Sequence, residues 1–187
     1  FVPPASFGGI CQERFQPRIL SEQEAARFLE ACLTLPQHPC SPLRPAVHGT
    51  LLMLLYTTGL RLGEAQRLTL ADVDLVAGVL HIRNTKFGKD RLVPMAEDMT
   101  ARLRWCRQEV ERCCGPRPAQ APFFPSTTNA VAPCDASALK TTYRHLLRRI
   151  GISHRRGEGP RLHDLRHTFA VHRLLRWYQE GADLTVR

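Results

Sequence analysis

The residues best suited to chemistry lie in one segment near the end of the chain, LHDLRHTFA at residues 162–170. His163 and Arg166 are three residues apart, so on a helix they share one face. Leu165 and Phe169 lie on another face, which we expect to be buried. An imidazole that titrates near neutrality beside a planar guanidinium, at a helix start where backbone N–H groups favour an anion, is suited to a phosphate group. The alternative is an ordinary polar helix face.

A second segment, TTGLRLGE at residues 57–64, places an arginine at a sharp corner. Gly59 is in the position of a left-handed residue that ends a helix, and Arg61 follows at the start of the next one. The backbone can therefore aim the guanidinium. Glu64, one turn later, shares the helix face of Arg61 and can orient a cationic partner. The alternative is a surface Arg–Glu pair of little energetic value.

A third segment, NTKFGKDR at residues 84–91, is expected in the turn between two strands. A lysine carried there could reach a DNA groove and give a proton to the oxygen that departs from a cleaved phosphodiester. The alternative is a turn whose cations serve only solubility.

The surrounding pattern indicates the elements that must position these residues. A capping box at residues 21–24 opens the first helix. Period-two patterns with turns at residues 77–78 and 87–88 predict three short strands. We expect helices from residue 21, through residues 47–55, and at 61–68, 96–113, 135–150 and 162–180, with strands at 73–75, 79–82 and 91–93. The chain is thus expected to be α+β, mainly α-helical with one small antiparallel three-stranded sheet.

Charge is distributed unevenly along the 187 residues. The chain carries 26 Lys and Arg against 17 Asp and Glu, and residues 111–187 alone hold 13 basic and 6 acidic side chains. A positive field concentrated in one stretch suits a polyanion, of which nucleic acid is the commonest.

The seven cysteines show no C-x-x-C spacing, so we expect no metal site. With no secretory signal, we expect reduced thiols and a cytoplasmic protein of bacterial, phage or mobile-element origin. No apolar run is long enough for a membrane span.

Together the three segments resemble the tyrosine recombinases (the phage-integrase family), which carry an Arg in T-G-L-R-x-x-E, a Lys in a β-turn, and H-x-L-R-H-x-F-A, in this order. The resemblance runs from about residue 20 to the end and implies that family's catalytic-domain fold. It implies that Arg61 and Arg166 clamp the phosphate, that His163 is the first active-site histidine, and that Glu64 is a supporting acid. Lys86 would be the catalytic lysine, preferred to Lys89 by counting back from RLVP at 91–94. The expected DNA-binding residues are Lys89, Arg91, Lys140 and Arg144.

One family feature is missing from the sequence. The family has a second His or Trp and then a Tyr nucleophile after the helix that carries H-x-L-R-H-x-F-A, whereas this sequence stops at residue 187. Tyr56 lies in the apolar second helix, Tyr143 precedes the H-x-x-R motif, and we interpret Tyr178 as a packing residue. The nucleophile is therefore expected to be absent. Residues 1–20 are then a linker from an N-terminal DNA-clamping domain, and residues 21–187 a catalytic domain incomplete at its C-terminus.

The resemblance implies site-specific DNA recombination or integration through a 3′-phosphotyrosine intermediate, with no cofactor, because the covalent intermediate keeps the bond energy. Double-stranded DNA is the expected partner, with a tetrameric homo-oligomer on DNA. The fragment alone is expected to be inactive, with a monomer as one option. Three alternatives remain: a catalytically inactive DNA-binding regulator, a type IB topoisomerase-like enzyme that relaxes DNA, and a plain basic helical interaction domain.

Overall fold

The computed structural model describes residues 16–83, 90–128, 130–152 and 159–181. Within these ranges the chain forms six α-helices and three short strands, which confirms the expected fold class. The helices are α1 (Glu22–Leu33), α2 (Thr50–Thr58), α3 (Leu62–Gln66), α4 (Glu97–Cys114), α5 (Ala136–Arg149) and α6 (Asp164–Gln179), and the strands are β1 (Val73–Asp74), β2 (Val79–Ile82) and β3 (Arg91–Pro94).

The predicted capping box opens α1. The Ser21 side chain accepts from the backbone N–H of Glu24, and the Glu24 carboxylate accepts from the backbone N–H of Ser21. These two bonds satisfy donors that a helix start otherwise leaves unpaired. The apolar face of α1 then packs into the core through Ala25, Phe28 and Cys32.

Helix α2 is the centre of the core. It continues from a π-helical turn, Pro45–Gly49, and four of its leucines are fully or almost fully buried. Helices α1, α3, α4 and α6 all contact it. The nearly continuous apolar sequence of this stretch is what a helix surrounded by neighbours requires.

The helices differ from their predicted bounds by up to a few residues, and two of these differences, in α3 and α6, concern residues of interest. Helix α3 ends at Gln66 rather than residue 68, and a 3-10 turn, Leu70–Asp72, leads into β1. Helix α6 begins at Asp164 rather than residue 162, with His163 as its N-cap in helical dihedral angles. His163 therefore lies just before the first residue of α6, but its backbone is already helical.

The sheet is a meander in which β1 pairs with β2 and β2 with β3, all antiparallel. The register places Leu80 opposite Val93 and Ile82 opposite Arg91. Leu80 and Ile82 on β2 are buried, whereas His81 between them is exposed. This alternation fixes which side of β3 faces the rest of the domain, because a strand presents successive residues to opposite faces.

The segment before α1 is anchored to α6 at Leu20, which is buried. The Leu20 N–H donates to Thr168 Oγ1 at 3.2 Å, and His172 Nε2 donates to the Leu20 carbonyl at 2.9 Å. Among the described residues no helix is both long and apolar enough to cross a membrane.

Candidate active site

A glycine corner joins the two sequence segments at residues 57–64 and 162–170. Gly59 ends α2 in the left-handed conformation at φ 63°, which favours glycine. A Cβ at this position would lie 2.3 Å from Cδ1 of Phe169 on α6, so the ring occupies the space that any side chain needs. The Gly59 carbonyl accepts a hydrogen bond from Nη1 of Arg166. The corner therefore fixes Arg166 close to the residue pair that follows Gly59.

Arg61 is the N-cap of α3, with extended backbone at φ −72° and ψ 145°. Its N–H donates to Glu64 Oε2 at 2.9 Å, and its Nη1 donates to Glu64 Oε1 at 3.1 Å. The side chain of Arg61 is still 41% exposed, whereas that of Glu64 is 2% exposed. Glu64 thus holds the Arg61 guanidinium from its buried side and leaves part of the guanidinium exposed to a ligand.

Glu64 is a buried carboxylate shared by two arginines. Besides Arg61, it accepts from both terminal nitrogens of Arg91, at 3.1 Å to Oε1 and 2.8 Å to Oε2. Burial raises the pKa of Glu64, but the hydrogen bonds from Arg91 and Arg61 outweigh it and lower the pKa to about 2. Glu64 is therefore ionised at neutral pH.

Arg166 and Arg61 are close enough to repel each other. Burial lowers the pKa of Arg166 below its ordinary value, and the positive charge of Arg61 lowers it further. Guanidinium groups keep their proton in proteins, so both side chains stay charged. The space between Arg61 and Arg166 is therefore a region of positive electrostatic potential. An anion bound between the two side chains would relieve the repulsion.

His163 lies exposed at the start of α6, beside the two arginines. Its ring meets that of His167 edge to face, with centroids 4.9 Å apart. Burial lowers the pKa of His163, and the charges of His167, Arg166 and Arg61 lower it further, against a smaller opposing effect of Asp164. The neutral imidazole is therefore favoured near pH 7, and a bound phosphate would favour the protonated form.

His163 and Arg166 border a cavity of about 200 Å³. Its walls include Leu60, Lys140, Arg161, His163 and Arg166. The structure thus brings together Arg61, Glu64, His163 and Arg166 and places Lys140 of α5 beside them. Arg144 is exposed one turn further along α5. Lys86 and Lys89 lie outside the described residues, so their roles stay predictions.

Arg91, expected to contact DNA, is bonded to Glu64 in the structure. Both of its terminal nitrogens are bonded to Glu64, and its side chain is 37% exposed. The sequence pattern could not show this pairing, because 27 residues separate the two.

Sequence reasoning missed two buried groups that hold the turn before α6. Asp164 accepts from the Arg161 N–H at 2.7 Å, and its own N–H donates to the Arg161 carbonyl at 2.9 Å. Thr168, also buried, donates to the Asp164 carbonyl at 2.8 Å. The acid in the first turn of the helix was the available signal, because such acids often satisfy the N–H groups at a helix start.

The three tyrosines have different environments. Tyr143 is buried edge-on against Phe28, and burial raises its pKa far above the ordinary value. Tyr56 bonds to His172 at 3.0 Å. Tyr178, however, is 78% exposed, so its interpretation as a packing residue is wrong. Leu174 and Leu175 are about half exposed as well. Periodicity predicted an apolar stripe but could not show that the described residues leave it uncovered.

The cysteines agree with the expectation of free thiols wherever the structure describes them. Cys32, Cys106 and Cys134 are buried, and burial raises the pKa of each thiol to about 12. The described ranges contain no group of three or more His, Cys, Asp or Glu side chains placed to hold a metal ion.

Comparison with known proteins gives a consistent result. The phage integrase family model matches residues 18–186. The chain is 40% identical over 187 residues to a putative integrase/recombinase, y4rB, of Sinorhizobium fredii (strain NBRC 101917 / NGR234), a match that covers 97% of this chain and 58% of that protein. It is 33% identical over 178 residues to the tyrosine recombinase XerC of Xylella fastidiosa (strain 9a5c), covering 90% and 54% respectively. The chain therefore spans little more than half the length of these relatives.

Solved structures show the same similarity. The crystal structure of XerA recombinase superposes with a TM-score of 0.67 at 29% identity, over 90% of this chain and 52% of that one. A lambda integrase tetramer bound to a Holliday junction gives a TM-score of 0.60 at 18% identity, over 92% and 46%. At that lower identity the similarity concerns the fold alone.

Proposed function

The chain belongs to the phage integrase family of tyrosine recombinases, and from this premise we propose that it supplies the phosphate-binding part of an active site that cuts and rejoins DNA in site-specific recombination. The observation that carries the proposal is the junction at Gly59. There Arg166 bonds to the corner that precedes Arg61, and Glu64 braces Arg61 from the buried side. Two separated sequence segments thus meet at one exposed, positively charged site.

We call Arg61 and Arg166 the phosphate clamp. Cleavage of a phosphodiester passes through a transition state in which negative charge grows on the non-bridging oxygens. Guanidinium groups held in place before the reaction stabilise that charge, and each can offer two parallel N–H donors. His163 beside the clamp would bond to the same phosphate or assist proton movement.

The proposed reaction is a transesterification. A tyrosine hydroxyl gives its proton to solvent or to the neutral His163 and attacks the phosphorus. A 3′-phosphotyrosine bond forms as the bond to the 5′-oxygen breaks. Lys86 would give that oxygen its proton, and a 5′-hydroxyl from a partner strand reverses the step. Bond energy is kept throughout, so the scheme needs no cofactor.

None of the three tyrosines in the sequence is proposed as the nucleophile. Tyr143 is buried and Tyr56 is bonded to His172. Tyr178 is exposed but lies on the last turn of α6, about 15 residues, or ~22 Å along the helix axis, from His163. We propose that the attacking tyrosine belongs to a segment outside the 187 residues.

Double-stranded DNA is the proposed substrate, and α5 is the proposed approach surface. Lys140, Arg144 and Arg148 are all exposed and recur every four residues, so they form one basic ridge. Lys140 also lines the cavity beside the clamp. The ridge would contact the backbone on one side of the cut phosphate. We further propose that full-length copies act as a tetramer on DNA.

A covalent trapping experiment tests the proposal. A full-length enzyme that contains this chain, incubated with a nicked suicide DNA substrate, should give a protein–DNA band on a denaturing gel. Arg166→Lys should abolish most of that band, because a lysine cannot replace a two-donor guanidinium contact. Arg104→Lys, a change at an exposed arginine of α4, is the matched control and should leave the band unchanged.

The same experiment separates the alternatives. Binding without any covalent band would support an inactive DNA-binding regulator and contradict the proposal. A covalent band with relaxation of supercoils, but without joining of two duplexes, would support a type IB topoisomerase-like enzyme. The 187-residue chain alone should give no band. A band that disappears in Tyr178→Phe would show that Tyr178 is the nucleophile.

A further inference from the structure

Arg91 makes an unusually complete contact with a buried acid. Its Nη2 donates to Glu64 Oε2 at 2.8 Å and its Nη1 donates to Glu64 Oε1 at 3.1 Å. The carboxylate is almost fully inaccessible, whereas Arg91 reaches it from the first residue of β3. Parallel bonds of this kind fix the orientation of both planar groups.

The same carboxylate holds Arg61. Oε1 accepts from Nη1 of Arg61 and from Nη1 of Arg91, and Oε2 accepts from Nη2 of Arg91 and from the Arg61 backbone N–H. Each oxygen therefore has two donors, which is the usual capacity of a carboxylate oxygen. Without Arg91, Glu64 would lose half of its hydrogen bonds and could rotate about its terminal torsion, which is soft.

We propose that Arg91 is a positioning residue that acts through Glu64 to hold Arg61 of the phosphate clamp in the orientation that stabilises the transition state of cleavage. The inference rests on the proposed function for the identity of the clamp. This positioning role replaces a direct DNA contact as the main role of Arg91.

The geometry disfavours a simple phosphate contact by Arg91. One of the guanidinium edges of Arg91 that could bind a phosphate through two parallel donors, the edge with Nη1 and Nη2, already faces Glu64. A lysine at this position would keep the positive charge but could not bond to both carboxylate oxygens in parallel. Arg91→Lys therefore separates positioning from charge.

The first measurement is the titration of the Glu64 carboxyl carbon by ¹³C NMR in the 187-residue chain. In the wild type its pKa should lie near 2, and in Arg91→Lys it should rise toward the ordinary value of 4.5. The matched control is Arg83→Lys. Arg83 pairs at 2.8 Å with Asp72, a different carboxylate, so the control should leave the Glu64 titration unchanged. An unchanged titration in Arg91→Lys would overturn the proposal.

The second measurement is DNA cleavage by the full-length enzyme. Arg91→Lys should slow cleavage by about 10²-fold, which is the usual effect of displacing a positioned group by about 1 Å. DNA affinity and its salt dependence should stay unchanged, because the charge is kept. Arg83→Lys should cleave like the wild type.

A double variant identifies the route of the effect. If Arg91 acts through Arg61, the pair Arg61→Lys with Arg91→Lys should cleave no more slowly than Arg61→Lys alone. Glu64→Gln tests the same connection from the acid side and should be equally non-additive with Arg91→Lys. Additive losses, or loss of affinity in parallel with rate, would overturn the proposal. A wild-type enzyme that never cleaves DNA would refute the proposed function, and the NMR titration would still decide whether Arg91 holds Glu64.

Discussion

At the scale of single residues, Glu64 orients two arginines while neutralising only one positive charge. Arg61, Arg91 and Glu64 together keep one net positive charge, to which Arg166 adds a second nearby. A second acid would have halved the net positive charge near a bound phosphate, and no acid would have left Arg61 free to rotate. The single buried carboxylate meets both requirements.

Replacement of this acid should weaken the fold in a pH-dependent way. Because the pKa of Glu64 is lowered from 4.5 to about 2, its contribution is present above pH 4.5 and is lost as the pH falls toward 2. At about 1.4 kcal/mol per pKa unit, Glu64→Gln should lower the free energy of unfolding by about 3 kcal/mol at pH 7. Denaturant unfolding at a series of pH values measures this. The difference from the wild type should shrink below pH 4.5.

The matched control for this change is Glu97→Gln. Glu97 is an exposed acid, 4.0 Å from the nearest arginine nitrogen. Exposed pairs of this kind contribute little, so the control should unfold like the wild type at every pH. A Glu64 effect that does not depend on pH would contradict the ionised state assigned to this carboxylate.

Lys86 is the residue whose proposed role most needs a chemical test. If it protonates the leaving 5′-oxygen, Lys86→Ala in the full-length enzyme should slow cleavage by about 10²–10⁴-fold. The loss of DNA affinity should correspond to one phosphate contact. A substrate with sulfur at the bridging 5′ position has a leaving group that needs no proton, so it should restore cleavage by the variant.

Lys89→Ala is the internal control for that experiment. It removes a cation three residues along the same segment, so it should weaken binding without needing rescue by sulfur. If the sulfur substrate instead rescues Lys89→Ala and fails to rescue Lys86→Ala, the acid is Lys89. The alignment of the catalytic lysine, counted back from residues 91–94, would then be wrong by three residues.

At the scale of elements, the site depends on how α2 and α6 meet. The Phe169 ring lies against the corner at Gly59, and the Gly59 carbonyl accepts from Arg166 one turn earlier on α6. The two helices therefore share an apolar contact and a polar contact at adjacent positions. This arrangement explains why a glycine in the segment 57–64 and a phenylalanine in the segment 162–170 are physically connected.

Gly59→Ala should destabilise the fold more than the addition of one methyl group suggests. The new Cβ would lie 2.3 Å from the Phe169 ring and would also occupy a left-handed backbone conformation. The backbone strain alone costs about 1–2 kcal/mol, and overpacking adds about 1–3 kcal/mol. Denaturant unfolding should therefore show a loss above the backbone cost.

The double variant Gly59→Ala with Phe169→Leu separates the two contributions. The smaller side chain should remove the collision but leave the backbone strain, so the double variant should be more stable than the sum of the single effects predicts. Simple additivity would mean that the ring does not limit space at the corner. Phe124→Leu, which shortens a buried phenylalanine packed edge to face against Phe123, is the control and should be additive.

How far the sequence predicted these elements depends on the range of the interactions involved. The capping box of α1, the end of α2 at Gly59 and the strands near residues 79–82 are set by neighbours within a few residues, and patterns detect such interactions. The Arg91–Glu64 pair joins β3 to α3 and exists only after the sheet has formed. The exposure of Tyr178 likewise depends on which elements cover α6, which periodicity along one helix cannot show.

At the scale of the whole molecule, the positive charge and the candidate site coincide. Residues 111–187, with 13 basic and 6 acidic side chains, contain α5 and α6. The clamp arginine Arg166 and the basic ridge of α5 both belong to this stretch. A DNA backbone drawn to the charge surplus would therefore be drawn to the clamp, which gives the uneven distribution a function beyond solubility.

Salt dependence of DNA binding measures this coupling. The affinity of the 187-residue chain for a duplex should fall steeply with salt, because each neutralised phosphate releases condensed counterions. Removal of one contact, by Lys140→Ala or by Arg144→Ala, should reduce the slope of log affinity against log salt by about 0.9. Arg107→Ala removes an exposed arginine of α4 that pairs with Glu111 at 2.8 Å, so it should leave the slope unchanged. Equal changes for all three variants would mean that the chain attracts DNA through net charge alone, and α5 would then have no special place in the interface.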